Sequence, residues 1–584
     1  MSAPPRPRSS ATLRILATTD LHANLLSWDY GADRSDAAVG LARTAALIRQ
    51  ARGEAGACLL VDNGDTLQGT PLGDGGLSGR LGGVHPSVAA LNALGCDTGT
   101  IGNHDLNYGL GRLRTALADA DYPVVCANLV RRRGARPIED EPLLPPFVVL
   151  DRQVAGRPLR IGVTGLIPPQ VMGWDREHLS GHVDARDMVE TARDWVPAIR
   201  AAGAEIVVVL AHTGPGRAEA GPRAEQSGRA LARVPGIDVL VLGHAHVVLA
   251  EVARGGPAMV SAGAYGSHLG VVDLDLAAVG DGWRVTGARA EARPIGPADD
   301  AEVARIAAPA HRATRDRLQR VVGKTETPLS THFVSAGDVP TARLVALAQA
   351  TAVEGLMAGR DEAALPVVSA AAPFRAGGGG SGWTDIPAGS LTVRHVVDLY
   401  PFPNGLRARV VTVADLRDWI AWSARAWATV RRGASDARLM APDAVAYNID
   451  IVTGAEVTLD LSAPRDAPGR IRDLTVGGRR LPDDAPVLLA TSSYRTGGGG
   501  GFPDRGRPAI EDGPLIQAVV EQWIAERGRF ALPQGPDVRF APLDATAVFE
   551  AGPEAATRVP PALADRVTAL GPAENGGTRW RLAL

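Results

Sequence analysis

The sequence predicts an α/β protein with more than one domain, and three observations support this. The chain has 584 residues, which exceeds the usual length of a single domain, and it is 45% hydrophobic and 21% charged, as globular proteins are. Several short apolar runs rich in β-branched residues stop at polar residues, which is typical of buried strands. Two longer stretches carry apolar residues at helical spacing.

In the first half of the chain, each of five predicted strands ends just before a short group of polar residues. Four apolar runs predict strands at 13–17, 58–61, 206–210 and 239–242, and a weaker run predicts a fifth at 98–101. Each run leads into a short segment that contains Asp, Asn or His. Residues 257–276 predict the closing strands of the same domain.

The second half of the chain predicts a separate domain. Residues 298–320 show a helical pattern that suits a connection between domains, although a surface helix of either domain would look the same. A second helix is predicted at 340–357, opened by Pro340, since proline is favoured in the first turn. Further strands are predicted at 367–370, 487–490 and 578–582.

Seven potential metal ligands lie in the segments that follow the five early strands. Side chains at the carboxyl ends of parallel strands project into one crevice, so we expect these residues to converge. All of them offer nitrogen or oxygen, and none offers sulfur. The seven are Asp20, His22, Asp65, Asn103, His212, His244 and His246.

The number of ligands favours two metal ions over one. Two metals that share a carboxylate need about seven protein ligands, and such a pair stands about 3.5–4 Å apart and clamps a phosphoryl group. Asp65 is a natural bridge, because a carboxylate has two oxygens. Mixed imidazole and carboxylate ligands suit Zn, Mn, Fe or Co better than Ca.

Each of these residues also has an ordinary interpretation when it is taken alone. A histidine beside glycine is usually a loop or core residue, and an aspartate after glycine usually belongs to a turn. The joint pattern favours the metal centre, because five of the twelve histidines of the chain lie in these segments.

The order D-x-H, G-D, G-N-H-D, H, G-H-x-H resembles the calcineurin-like metallophosphoesterases. Within them the chain resembles the 5′-nucleotidase family over residues 13–505, and most closely its 2′,3′-cyclic-nucleotide 2′-phosphodiesterase/3′-nucleotidase branch. The resemblance implies a four-layer α-β-β-α metallophosphatase sandwich at 11–297, a linker helix at 298–322 and an α/β substrate-binding domain at 323–584. It also implies two ligand sets: Asp20, His22, Asp65 and His246 for one metal, and Asp65, Asn103, His212 and His244 for the other.

The resemblance assigns catalysis to His104, which would stabilise the transferring phosphoryl group. In 5′-nucleotidases an aspartate three residues later orients this histidine, whereas this chain has Asn107, as the cyclic phosphodiesterase branch does. Asn107 can accept an imidazole N–H but adds no negative charge. The expected reaction is hydrolysis of 2′,3′-cyclic nucleotides and 3′-nucleotides. The alternative is a 5′-nucleotidase or nucleotide-sugar hydrolase with the same dinuclear site.

Three residues of the second half are expected to bind substrate. Arg375 precedes a glycine run at 377–380, where a positive side chain and bare N–H groups suit a phosphate, although glycine runs are usually flexible loops. Tyr447 and Tyr494 suit a flat nucleobase held between two aromatic faces, although either would also suit a core. The resemblance favours substrate binding for all three.

Composition excludes some partners. The net charge of −3 carries no basic excess, which argues against binding to nucleic-acid polymers. No run of 18 apolar residues predicts a membrane span, and no apolar signal segment precedes residue 13. We therefore predict a cytoplasmic monomer, with export as the alternative if the true start lies upstream.

A nucleotide-binding protein on an inactive phosphatase fold is disfavoured, because no metal ligand is missing. A sulfur-ester hydrolase would not need the two tyrosines.

Overall fold

A computed structural model describes residues 10–377, 382–573 and 576–584. The chain divides into two compact units, the first ending at Asp316 and the second beginning at Arg317. The helix Ala301–Leu318 lies at this division. The α/β class is confirmed. The domain limits 11–297, 298–322 and 323–584 stay a prediction.

The first unit is built on two sheets. In one sheet the strands lie in the order Gly282–Pro294, His268–Val279, Ser10–Thr18, Cys58–Asp62, Thr98–Gly99. In the other they lie in the order Val248–Val252, Ala258–Ala262, Val239–Leu242, Ile206–Ala211, Arg157–Leu166, Phe147–Val154. All five predicted strands of the first half, and the closing strands, are confirmed.

The core of this unit joins the two sheets face to face. Leu13 and Ile15, which share one face of their strand because side chains alternate, belong to the same buried cluster as Val163 and Val208 of the other sheet. Each such aliphatic side chain stabilises the fold by about 1.5–3 kcal/mol when fully buried. The helix Met188–Ala201 packs on the outer face of the second sheet. The helix Leu41–Gly53 contacts the first sheet, which gives four layers.

Parallel strands bring the polar segments to one end of the sheets. Ser10–Thr18, Cys58–Asp62 and Thr98–Gly99 run parallel in one sheet, and Ile206–Ala211 and Val239–Leu242 run parallel in the other. The chain leaves the carboxyl end of each of these strands into a segment that carries a predicted metal ligand.

Helices and small strands complete the first unit. The remaining helices are Pro71–Leu77, Pro86–Ala93, Gly109–Leu117, Val171–Trp174, Arg176–Leu179 and Gly228–Leu231, with 3₁₀ turns at His104–Leu106 and Pro137–Glu139. The small strands are Trp28–Asp29, Arg34–Ser35, Leu129–Arg132, Glu141–Pro142 and Asp184–Ala185.

The second unit is built around a five-stranded sheet. Its strands lie in the order Ile451–Thr453, Val367–Ala371, Pro486–Ser492, Leu406–Thr412, Arg507–Ile510. The helices are Pro340–Met357, Val393–Leu399, Val413–Ala424, Ser493–Thr496 and Ile516–Arg527. The helix predicted at 340–357 and the strands predicted at 367–370 and 487–490 are confirmed.

Three- and four-stranded sheets surround this framework. The strands of the three-stranded sheets are Gly389–Thr392, Val321–Thr325 and Arg529–Phe530 in one, and Ile471–Val476, Ala455–Leu459 and Arg539–Phe540 in the other. The four-stranded sheet has Ala437–Arg438, Thr546–Ala551, Thr578–Ala583 and Val567–Pro572, which confirms the final strand. Leu329–Ser330 pairs with Asp385–Ile386. The 3₁₀ turns are Val334–Ala336, Asp361–Ala364, Ala446–Asn448, Pro468–Arg470, Gly499–Gly501, Ala555–Thr557 and Pro561–Leu563. Among the described residues, no helix has both the length and the apolar character that a membrane crossing requires.

Candidate metal centre and nucleotide-binding residues

Asp20, His22 and His246 form the first cluster of metal-type side chains. One donor atom from each lies within 4.8 Å of the others. His22 Nε2 and His246 Nε2 face each other at 3.0 Å. His22 Nδ1 lies 2.8 Å from the carbonyl oxygen of Gln68, so Nδ1 carries the proton and Nε2 keeps its lone pair for a cation.

Asp65, His212 and His244 form the second cluster, within the same limit of 4.8 Å. His212 Nδ1 lies 2.8 Å from the carbonyl oxygen of Asn63, which again leaves Nε2 for a cation. His212 Nε2 is fully buried and lies 3.1 Å from Asp65 Oδ2, yet the geometry is not that of a hydrogen bond. Asn103 joins this cluster, because its Oδ1 lies 2.8 Å from His244 Nδ1.

One oxygen of Asp65 lies close to a histidine of the first cluster and to a histidine of its own cluster. Its Oδ2 lies 3.8 Å from His22 Nε2 and 3.1 Å from His212 Nε2. Its Oδ1 accepts the backbone N–H of His104 at 2.7 Å, which fixes the carboxylate in this orientation. The oxygen Oδ2 therefore lies within 4 Å of an imidazole nitrogen from each cluster.

The backbone is strained where the clusters form. Five of the seven predicted ligands have left-handed backbone conformations: Asp20, His22, Asp65, His244 and His246, with φ between 47° and 66°. A residue with a side chain seldom adopts this region, and each such residue costs about 1–3 kcal/mol, a cost found mainly at functional sites. The strain lies where the chain must turn sharply to aim side chains at a common centre.

Glycines and an aspartate hold the loops together around Asp65. A Cβ added at Gly102 would lie 2.2 Å from Asp65 Oδ1, so only glycine allows this approach. The Asp105 carboxylate accepts backbone N–H groups at 2.8–3.0 Å from Asp65, Thr66, Leu67 and Gly102. The sequence showed Asp105 as the last residue of G-N-H-D, but it did not reveal this role.

Burial and mutual charge set the protonation of the clusters. Burial raises the pKa of Asp20 to about 7 and lowers those of His22 to about 3 and His246 to about 4. Burial also opposes the charge on His212, but Asp65 and Asp20 outweigh it and raise the pKa of His212 to about 10. His22 and His246 are therefore neutral at pH 7, which is the form in which an imidazole can bind a metal. Two groups of nitrogen and oxygen donors around a shared carboxylate fit two divalent ions.

Two further carboxylates lie behind His244 and Asn107, and no pattern in the sequence indicates either. Glu225 Oε1 lies 2.9 Å from His244 Nε2, so Nε2 carries the proton and Nδ1 keeps the lone pair on the side of Asn103. Asp175 Oδ1 accepts from Asn107 Nδ2 at 2.8 Å. Both carboxylates come from loops far along the chain, and neither has a local motif.

His104 lies beside the first cluster and contacts Asn107. Its ring centroid lies 5.2 Å from that of His22. Its Nδ1 lies 2.8 Å from Asn107 Oδ1. Asn107 therefore fixes the imidazole through Nδ1, and Nε2 lies on the other side of the ring.

Arg375 follows the strand Val367–Ala371 in the second unit. Its guanidinium donates to Asp398 Oδ1 at 2.8 Å, so part of its charge is already paired. Of the glycine run predicted to bind an anion at 377–380, positions 378–380 lie outside the described residues.

The segments that carry Tyr447 and Tyr494 meet at one buried arginine. Tyr447 is 40% exposed and Tyr494 is half-buried. Arg495 donates to the carbonyl oxygen of Tyr447 and pairs with Asp450 at 2.8 Å. Its guanidinium carbon lies 5.6 Å from the centroid of the Tyr494 ring and 4.1 Å from that of Phe502. Two segments that are far apart in the sequence are thereby held together.

Comparison with known proteins assigns the family. The family model described as calcineurin-like phosphoesterase matches residues 13–248, and the one described as 5′-nucleotidase, C-terminal domain, matches residues 321–505. A 2′,3′-cyclic-nucleotide 2′-phosphodiesterase/3′-nucleotidase from Salmonella typhimurium is 37% identical over 90% of this chain and 87% of its own length. The chain belongs to the 5′-nucleotidase family of calcineurin-like phosphoesterases.

Other relatives agree with this membership. A protein of the same name from Yersinia enterocolitica is 37% identical over 83% of this chain and 81% of its own length. A solved structure named as a putative 5′-nucleotidase from Staphylococcus aureus covers 91% of this chain and 100% of its own, with a TM-score of 0.73 at 22% identity, and supports the fold. The family resemblance and the fold class are confirmed, and the chain is a hydrolase of phosphoester bonds. The monomeric state and the compartment stay predictions.

Proposed function

We propose that this phosphoesterase hydrolyses 2′,3′-cyclic nucleotides to 3′-nucleotides, and these to nucleosides and phosphate, at a centre of two divalent ions. In the first step one water adds to phosphorus and the P–O2′ bond breaks. In the second step another water adds and the P–O3′ bond breaks. Relatives named for both activities, at 37% identity over most of the chain, support the choice of substrate.

The observation that carries this proposal is the pair of donor clusters that face the same oxygen of Asp65. Two divalent ions bound there would supply charge neutralisation on the phosphate and a lowered pKa of water. The donor set favours Zn, Mn, Fe or Co. Asp20, His22 and His246 would hold one ion with Asp65, and Asn103, His212 and His244 the other.

His104 is proposed to stabilise the charge that develops on the phosphoryl oxygens. Asn107 fixes Nδ1 of the ring at 2.8 Å, so Nε2 is the nitrogen assigned to the phosphate. A donor of this kind, preorganised at a site of developing charge, typically contributes about 10²–10³-fold to turnover. Substitution of His104 by alanine should therefore lower kcat while both ions stay bound.

The second unit is proposed to bind the nucleoside. Tyr447 and Tyr494 would stack on the base, each with about 1–3 kcal/mol. The Arg495 contacts that hold their segments together support this pairing. Arg375, next to the glycine run, is proposed to bind the phosphate of the substrate.

A substrate panel tests the proposal. The purified protein, stripped of metal and reloaded with Mn²⁺, is incubated with 2′,3′-cyclic AMP, 3′-AMP, 5′-AMP and a nucleotide sugar, and the products are separated by chromatography. We expect 3′-AMP to form first and then decline as adenosine and phosphate appear. Hydrolysis of 5′-AMP or of the nucleotide sugar alone would instead support the alternative substrates on the same centre.

A further inference from the structure

We propose that Asp175 is a positioning residue for catalysis, and that it acts on His104 through the side chain of Asn107. The three side chains form a continuous hydrogen-bonded series, His104–Asn107–Asp175, with 2.8 Å in each link. The inference rests on the proposed role of His104 in phosphoester hydrolysis. It places a carboxylate behind the His104 ring, on a side where the sequence segment around His104 offers only the amide of Asn107.

The position of Asp175 is fixed independently of Asn107. It lies between the short helices Val171–Trp174 and Arg176–Leu179, and its backbone N–H donates to the carbonyl oxygen of Val171 at 2.9 Å. Its carbonyl oxygen accepts from His178 and Leu179 at 2.9 and 3.0 Å. The residue is 5% exposed. A buried side chain on a backbone held in this way can orient a neighbour instead of following it.

Asp175 decides which end of the Asn107 amide faces the histidine. Burial raises the pKa of Asp175 to about 7. Its ionised form only accepts hydrogen bonds, so Asn107 then turns its NH₂ group toward Asp175. The amide oxygen is then left for His104, and His104 Nδ1 must carry a proton in order to donate to it. The series therefore selects one tautomer of His104 and assigns Nε2 to the phosphate. If the Asn107 amide were free to flip, it would present a donor to Nδ1 and favour the other tautomer.

The series also places a negatively charged carboxylate behind the imidazole, separated from it by the side chain of Asn107. The amide dipole of Asn107 lies between the His104 ring and the Asp175 carboxylate, with its oxygen toward the ring and its NH₂ group toward the carboxylate. A polarised hydrogen-bond chain of this kind is stronger in a buried site than its separate links. Asp175 Oδ2 is buried and has no hydrogen-bond partner within the part of the chain that the structure describes. Asn107 is thus the one polar side chain in that part to which this carboxylate is hydrogen-bonded.

The test exchanges the amide and the carboxylate. Asp175→Asn removes the charge and nearly preserves the shape, and we expect kcat to fall about 10–100-fold, as it does when groups behind a catalytic or metal-bound histidine are lost. Asn107→Asp alone sets two carboxylates 2.8 Å apart, which disfavours ionisation of both. The double variant Asn107→Asp/Asp175→Asn places the carboxylate directly on His104 with an amide behind it. It should regain most of the lost kcat.

The assays separate this inference from the choice of substrate. Turnover is measured on p-nitrophenyl phosphate as well as on 3′-AMP, so the series can be tested even if the nucleotide assignment is wrong. Metal content is measured for every variant and should stay at the wild-type value. A second readout does not depend on activity: ¹⁵N shifts of the histidine rings, assigned with His104→Gln, should report a proton on Nδ1 in the metal-free wild type and a mixture of tautomers in Asp175→Ala.

Asp238→Asn is the matched control. Asp238 is a carboxylate that accepts the backbone N–H of Val207 at 2.8 Å, and it precedes the strand Val239–Leu242 at the end opposite His244. This variant should keep the wild-type kcat. The inference is overturned if Asp175→Asn also keeps it, or if the double variant is no more active than Asp175→Asn, because a purely structural aspartate would not be rescued by exchange with its neighbour.

Discussion

Replacement of Arg495 by methionine should weaken nucleotide binding through the two tyrosine segments. The guanidinium lies against Asp450 at 2.8 Å, and the two side chains are only 5% and 1% exposed. It also donates to the carbonyl oxygens of Tyr447 and Gly499 and to Asn448 Oδ1. The substitution removes all these donors at once. It leaves the buried Asp450 carboxylate without its cationic partner, while the indole N–H of Trp419 still donates to it at 3.1 Å.

The structure sets the size of the expected effects. Removing one partner of a buried ion pair costs about 3–5 kcal/mol, so the second unit should lose about that much unfolding free energy. If one tyrosine also loses its alignment, the forfeited stacking energy of about 1–3 kcal/mol raises KM for a nucleotide roughly 5–150-fold. The double variant Arg495→Met/Asp450→Asn should recover part of the stability, because no unpaired charge is left.

The assay combines urea denaturation with KM for 3′-AMP and for p-nitrophenyl phosphate, which has no base. Arg343→Met is the matched control, because Arg343 forms a comparably buried pair with Asp537 at 2.7 Å elsewhere in the same unit. The control should lose similar stability but should change KM little for either substrate. Our reasoning is refuted if Arg495→Met raises KM equally for both substrates, or if Arg343→Met reproduces its selectivity for the nucleotide.

Two further predictions concern the first unit. Glu225→Gln should weaken metal binding at the second cluster about 10–100-fold, because Glu225 fixes the tautomer of His244. Titration with Mn²⁺ should show one weakened site, and two sites of unchanged affinity would contradict this prediction. Burial lowers the pKa of His85 from 6.5 to about 4, so its neutral form stabilises the fold fully above pH 6.5 and this contribution is lost as the pH falls toward 4. The unfolding free energy of the wild type, relative to His85→Asn, should fall by about 1.4 kcal/mol per pH unit in that range, and a constant difference would contradict this.

The sequence predicted the first unit well because its signals are local. A short β-branched run that stops just before Asp20, Asp65 or His212 predicts a strand and also predicts the residues at which that strand ends. Once the strands are parallel, the convergence of their carboxyl ends follows from the geometry of a sheet. The five segments could therefore be placed together without any contact information.

The carboxylates behind Asn107 and His244 could not be predicted in this way. Asp175 and Glu225 lie in loops with no repeating pattern, and each reaches its partner through the fold of the whole unit. For this reason the sequence alone predicts an amide, and no carboxylate, behind the His104 ring. The structure changes that interpretation, because the carboxylate lies one hydrogen bond farther out.

The central claim is that seven side chains at strand ends hold two divalent ions around Asp65. Anomalous diffraction from crystals of the Mn²⁺-loaded protein tests it most directly. We expect two anomalous peaks in the first unit, one beside Asp20, His22 and His246 and one beside Asn103, His212 and His244, with Asp65 bound to both. A single peak, or two peaks that do not share Asp65, would contradict the account.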